Sequence, residues 1–230
     1  MTERYAIYFC PAWEDPLFAR AAAWLGYDVR SGETLPPPGL DGIAEDVWRD
    51  ATAAPRKYGF HATMKPPFRL ADGCRERDLA ARLAAFCATR APVDTGTLAL
   101  TDLDGFLALT PGAGQDGISA LAADCVRDFD DFRAPPGEDE LARRRKAGLS
   151  PAQEAYLQQW GYPYVMEMFR FHMTLTGRLD DAARARFRDA ITAFFGAVLY
   201  APLRIDSLCL FVQPSLDAPF QLRERFLFAG

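Results

Sequence analysis

Histidine is nearly absent from this sequence: two residues in 230, His61 and His172. No apolar run approaches the ~20 residues that a membrane-spanning helix needs. The stretch from Met1 to Cys10 carries Glu3 and Arg4 before a short strand-like run and then meets Pro11. It therefore has neither the apolar core nor the small-residue cleavage site of a secretory signal. The five cysteines (Cys10, Cys74, Cys87, Cys125, Cys209) are odd in number, widely spaced and never form Cys-x-x-Cys. That excludes zinc-ribbon spacing and argues against a disulfide framework, so the expectation is a reduced, cytoplasmic chain. An excess of positive charge is missing as well. The 26 Lys and Arg face 31 Asp and Glu, a net charge of −5. Duplex nucleic acid is thus no general partner, although one local basic groove could still hold a short RNA end.

What remains is ordinary globular composition, half hydrophobic and one quarter charged. Strand patterns run over Tyr5–Cys10, Arg56–Lys65 (ending at Pro66-Pro67), Thr97–Leu103, Phe106–Thr110, Phe169–Thr176, Leu203–Val212 and Phe220–Phe228. Helical spacing marks Asp15–Leu25, Glu76–Ala88, Asp116–Phe129, Glu138–Lys146, Pro151–Trp160 and Asp180–Ala197. Asp104-Gly105 reads as a hairpin turn, and Ser150-Pro151 with Gln153 as a capping box. This order predicts an α+β fold with antiparallel sheet and helices outside. The chain reads as a single domain over 1–230, with a helical insertion at about 132–165 between two similar halves.

The two histidines share one local context, Phe60-His61-Ala62-Thr63-Met64 and Phe171-His172-Met173-Thr174-Leu175. A single His-x-Thr in a strand is commonplace. Two copies that use every histidine in the chain form a weak internal repeat. Strand side chains alternate faces, which puts His61, Thr63 and Lys65 opposite Phe60, Ala62 and Met64. The same alternation puts Arg170, His172, Thr174 and Thr176 opposite Phe171, Met173 and Leu175. Side by side, two such strands make a cleft with two imidazoles, hydroxyls and cations, a local anion site in an acidic protein. The inventory suits phosphodiester chemistry. One imidazole deprotonates the attacking water and the other protonates the leaving oxygen. Thr hydroxyls, Lys65 and Arg170 hold the non-bridging oxygens. Two histidines without a paired carboxylate motif make a poor metal-ligand set, so no metal and no cofactor are expected.

The paired motifs His61-Ala62-Thr63-Met64 and His172-Met173-Thr174-Leu175 resemble the signature of the two-histidine phosphoesterase superfamily, whose members include cyclic phosphodiesterases. The longer strings Lys57 to Phe68, Trp160 to Tyr164 and Arg170 to Gly177 resemble a narrower bacterial branch, one associated with phosphonate-utilisation operons. The resemblance implies a bilobal, pseudo-twofold α+β fold, with one motif per lobe facing a central cleft. It also implies a metal-independent hydrolase acting on a small phosphorylated substrate. The catalytic candidates are His61, His172, Thr63 and Thr174.

Further substrate-binding candidates are Lys65, Arg170, Thr176, Arg143, Arg144 and Tyr164. Arg143-Arg144-Arg145-Lys146 reads either as a solvated helix end or as a run from which one or two residues bind a second phosphate; successive helical residues diverge too far for all to do so. Tyr58 shares the parity of Phe60 and is expected toward the core. Tyr162 and Tyr164 lie in a loop, the face of Tyr8 is undetermined, and Glu154 and Glu167 are candidates to orient a histidine. The competing functions are a non-catalytic phosphorylated-ligand module and an RNA-end 2′,3′-cyclic phosphodiesterase. The substrate, the division of acid and base roles and the oligomeric state stay open.

Overall fold

The computed structural model describes residues 3–146 and 148–230. The chain runs β1 (Arg4–Phe9), α1 (Pro16–Leu25), β2 (Tyr27–Asp28), β3 (Glu33–Thr34), α2 (Glu45–Arg56) and β4 (Ala62–Phe68). It continues through α3 (Glu76–Cys87), β5 (Val93–Thr97), β6 (Ala99–Leu103), β7 (Phe106–Thr110), α4 (Gln115–Asp128), α5 (Glu138–Arg145) and α6 (Pro151–Trp160). The last elements are β8 (Met173–Thr174), α7 (Asp181–Phe195), β9 (Pro202–Ile205), β10 (Ser207–Gln213) and β11 (Gln221–Leu227). The helix ends follow their sequence signals. Asp15 accepts the Leu17 N–H ahead of Pro16, Asp180 caps Ala183, and Ser150 and Gln153 close the capping box of α6.

The fold is α+β, and its strand pairs are antiparallel. One sheet has the order β11-β10-β1-β4 and another the order β6-β7-β8. Two-stranded pairs β2-β3 and β5-β9 complete the set among the described residues. The strand carrying each histidine motif, β4 or β8, thus lies at an outer edge of its sheet. Alternation along β1 sends Tyr5, Ile7 and Phe9 into the larger core with Trp24, Leu79 and Phe187. Ala6, Tyr8 and Cys10 enter a smaller aromatic cluster with Tyr27, Phe211 and Phe220. Trp24 on α1 donates its indole N–H to the Leu175 carbonyl at 2.9 Å and so ties that helix to the second motif. No helix among the described residues is long and apolar enough to cross a membrane.

Four expectations need correction. The first motif strand does not begin at Arg56; that residue ends α2, an unforeseen helix whose buried Trp48, Ala51, Thr52 and Pro55 fall at helical spacing. Nor does the strand stop at Pro66-Pro67. An edge strand tolerates proline because one row of its backbone groups has no ladder partner. Phe169–Thr176 is mostly irregular, and only Met173 and Thr174 are strand. The stretch Leu203–Val212 divides at Asp206 into β9, which pairs with β5, and β10, which pairs with β1 and β11. All five cysteines are free thiols.

Candidate active site

Each histidine is anchored by the same short-range bond. His61 Nδ1 lies 2.9 Å from the Gly59 carbonyl oxygen, and His172 Nδ1 lies 2.8 Å from the Arg170 carbonyl oxygen. A carbonyl only accepts, so Nδ1 carries the proton in both rings and Nε2 is left with its lone pair. The internal repeat seen in the letters is therefore also a repeat of hydrogen bonding. On the first motif it depends on Gly59. That residue has φ +71, and a Cβ there would sit 1.9 Å from Val29 Cγ1, so only glycine allows the tight turn that presents its carbonyl to His61.

The environments of the two rings differ. His61 stacks on Tyr8 with ring centroids 3.9 Å apart, has Tyr58 at 6.0 Å, and places Nε2 3.3 Å from the Thr63 hydroxyl. Burial pushes its pKa down to about 4, against a smaller upward pull from the Gly59 bond, and the nearby charge of His172 lowers it further. His172 meets the tilted ring of Phe106 at 5.8 Å. Its pKa is also lowered by burial, opposed by the Arg170 bond.

Thr63, Arg170, His172 and Tyr164 line one cleft of about 540 Å³, a size suited to a small molecule. His61 meets this wall through Thr63. Thr174 is half-buried on β8 opposite Ala108. Arg178, which no sequence signal marks, brings a second guanidinium to the same cleft and donates to the Asp104 carbonyl at 2.5 Å.

Lys65 does not reach the cleft. It is 1% exposed and donates to the Val126 carbonyl at 2.9 Å, with Asp130 at 3.5 Å. The cause is a β-bulge: Tyr8 pairs with Thr63 but Ile7 pairs with Lys65, so Met64 is an extra residue and the alternation of faces fails beyond it. Thr176 is buried as well, and its hydroxyl accepts the Leu107 N–H at 2.9 Å, which extends the β7–β8 pairing. Tyr58 packs as expected toward a core: it stacks on buried Phe220 at 5.3 Å in the smaller aromatic cluster, with its ring 6.0 Å from that of His61. In the basic run, Arg143 is exposed and Arg145 is bonded to Glu154 at 2.6 Å. Arg144 lies over Tyr162 at 4.6 Å and pairs with Glu140 at 3.1 Å. Glu167 accepts the Tyr156 hydroxyl, so neither Glu154 nor Glu167 orients a histidine. Among the described residues, no group of three or more His, Cys, Asp or Glu is arranged to hold a metal ion.

A family model described as "Protein of unknown function (DUF1045)" matches residues 63–221, and the chain belongs to this family. Two curated relatives are each named "Ribose 1,5-bisphosphate phosphokinase PhnN". The one from Janthinobacterium sp. (strain Marseille) is 41% identical over 231 residues, covering 99% of this chain and 51% of the relative. The one from Laribacter hongkongensis (strain HLHK9) is 34% identical over 226 residues, covering 95% of this chain and 50% of the relative. The chain thus spans about half the length of the curated relatives it matches. Among solved structures, a chain described as a phosphoesterase aligns over 100% of both chains with TM-score 0.45 and 11% identity. E. coli LigT complexed with 3′-AMP aligns over 100% of both with TM-score 0.43 and 11% identity. TT0787 of Thermus thermophilus aligns over 99% of this chain and 98% of its own with TM-score 0.43 and 15% identity.

Proposed function

We propose that this chain is a metal-independent phosphoesterase that hydrolyses a cyclic phosphodiester of a small phosphorylated sugar or nucleotide. The observation that carries the reading is the duplicated anchoring of His61 and His172, which leaves two imidazole Nε2 atoms for acid–base work beside one cleft. His61, with the more deeply depressed pKa, is neutral at pH 7 and serves as the base. His172 serves as the acid once it has taken a proton, a state favoured by the negative charge of the bound phosphate.

In the reaction, a water oxygen attacks phosphorus while His61 Nε2 takes the water proton. The bond from phosphorus to one ring oxygen breaks, and His172 Nε2–H gives its proton to that oxygen. One water is consumed and a phosphomonoester is formed; the histidines exchange protons with solvent to reset. The Thr63 hydroxyl, with Thr174 on the second motif, and the Arg170 guanidinium stabilise the non-bridging oxygens as charge grows on them.

The relatives' name points to a phosphorylated ribose as the kind of molecule handled, which fits a cyclic phosphate of a phosphorylated ribose and a role in phosphonate metabolism. Phosphoryl transfer from a nucleoside triphosphate is not assigned to this chain. Its sequence has no Gly-x-x-x-x-Gly-Lys-Ser/Thr phosphate loop, and it covers only half of the proteins bearing the kinase name. The test is turnover of small cyclic phosphates and of oligonucleotides ending in a 2′,3′-cyclic phosphate, each in the presence of EDTA. Hydrolysis of the small compounds supports the reading, hydrolysis of the oligonucleotides alone makes it an RNA-end enzyme, and binding without hydrolysis of either makes it a ligand-binding module.

A further inference from the structure

The cleft wall that leads up to His172 is a length of irregular chain. Tyr162, Tyr164, Met166, Met168 and Phe169 line the cleft there, just ahead of Arg170 and His172. The regular structure in this stretch is a single tight turn, Met166–Met168. Its backbone hydrogen bonds are internal: the Met168 N–H donates to the Val165 carbonyl and the Phe169 N–H to the Met166 carbonyl, each at 3.0 Å. Met166 has φ +54. Among the described residues, Asp104 and Met166 are the non-glycine positions with positive φ, and both line the cleft. A side chain in that conformation persists where the surrounding structure holds it.

Arg133 supplies that hold from outside the wall. Its Nε donates to Asp130 Oδ1 at 2.8 Å and a terminal nitrogen to Oδ2 at 3.1 Å. The same terminal nitrogen donates to the Gln159 carbonyl at 3.0 Å, in the last turn of α6. Asp130 also faces the buried Lys65 ammonium at 3.5 Å, which ties the arginine to β4. On its other side the guanidinium lies flat against Gly161, the left-handed cap of α6, from which the wall departs. A Cβ at Gly161 would come within 3.0 Å of a terminal nitrogen and 3.3 Å of the guanidinium carbon, so glycine is what permits the close seat. Residues 136–169 carry α5, α6 and the wall. Their other side-chain bonds stay within the segment: Arg144 with Glu140, Arg145 with Glu154 and Tyr156 with Glu167. Among the described residues, the bond from Arg133 to the Gln159 carbonyl is the one hydrogen bond between that segment and the rest of the chain.

We propose that Arg133 is a positioning residue: by joining β4 to the end of α6, it sets where the wall from Tyr162 to Phe169 meets the part of the substrate beyond the scissile phosphate. The effect on substrate rests on the phosphoesterase reading; the hold on the wall does not. Arg133 is not part of the cleft lining, so it acts through the wall and not on the reacting atoms. A wall that touches only the remote part of the substrate contributes equally to ground state and transition state. Its displacement therefore raises KM and spares kcat.

The test uses two probes, adenosine 2′,3′-cyclic phosphate and ethylene phosphate, a cyclic diester with nothing beyond its ring. Arg133→Met keeps the apolar stem and removes every donor. Its KM for the adenosine probe should rise about tenfold with kcat within about twofold, the scale of one charge-assisted hydrogen bond. For ethylene phosphate both constants should stay within about twofold. Gly161→Ala, which displaces the guanidinium but leaves the charges in place, should repeat the pattern. Arg90→Met is the control. It breaks an ion pair with Asp124 at 2.7 Å, away from the cleft lining, and should lower the melting temperature with KM unchanged. Hydrogen exchange supplies a readout without turnover. Amides of residues 162–169 should exchange at least about tenfold faster in Arg133→Met, with those of β1 and β10 unchanged. Unchanged exchange in the wall overturns the positioning role. So does a fall in kcat at constant KM, an equal rise in KM for both probes, or the same rise in Arg90→Met. Failure of the wild type to hydrolyse either probe removes the phosphoesterase reading, and the hold of Arg133 on the wall then stands or falls on the exchange measurement.

Discussion

His61 lies against the ring of Tyr8 with centroids 3.9 Å apart and planes 27° apart, while His172 has Phe106 tilted at 5.8 Å. Two copies of one motif have thus been given different surroundings. The stacked ring excludes water from one face of the His61 imidazole, and desolvation disfavours its charged form.

This difference fixes the pH dependence. As pH falls, His61 gains a proton near its pKa of about 4 and can no longer act as base. As pH rises, His172 loses the proton it needs as acid, at a pKa below the ordinary 6.5. The kcat/KM profile of the free enzyme should be a bell with its optimum on the acidic side of neutral. An optimum above pH 8 would contradict the assignment. An NMR titration of Tyr8→Leu should show the His61 pKa rising toward its ordinary value.

Replacing either histidine by alanine should cut turnover by roughly 10²- to 10⁴-fold. The double variant should lose far less than the product of the two losses, because both groups serve one step. Thr63→Val removes one hydroxyl and should cost about tenfold. Steady-state kinetics with a small cyclic phosphate check all four variants; full activity in His61→Ala would falsify its role as base.

Turnover should be insensitive to EDTA, within about twofold, since imidazoles carry the protons and hydroxyls and guanidiniums carry the charge. Loss of activity on chelation, with recovery on adding a divalent cation, would assign the chemistry to a metal.

Lys65 offers a test that needs no substrate. Burial lowers its pKa from 10.5 to about 8, against the opposing pull of Asp130. The unfolded chain therefore binds its proton more tightly than the folded one. Relative to a residue that does not titrate, Lys65 gains stability as pH rises from about 8 to 10.5 and loses it on the way down. The variant Lys65→Met should compare best with wild type at neutral pH, and its relative melting temperature should fall across that window. A difference that stays flat from pH 7 to 10 would show that the ammonium is not desolvated as described.

The motif was legible because period-two alternation held up to Thr63, and the polar side chains at His61 and His172 stand out against Phe60 and Phe171. The class of fold followed from the order of apolar patterns, and most helix ends from caps such as Asp15, Ser150 and Asp180. Lys65 was misplaced because a bulge is a property of the pairing between β1 and β4, and neither strand announces it alone. Thr176 was misplaced because β8 is only two residues long, so alternation had no ladder to enforce it. Helix α2 was overlooked because its few apolar residues sit among charges.

The prolines of the first motif strand have a consequence for the life of the protein in concentrated solution. A sheet that ends at an open edge offers its row of backbone donors to any neighbouring chain, and here that edge is β4, the strand that follows directly on His61. Pro66 and Pro67 carry no backbone N–H to offer, and just beyond them Leu70 is bridged by Arg133. The same two residues that read as a strand terminator therefore discourage edge-to-edge aggregation at the mouth of the active site, where a covering helix would have closed the way to substrate.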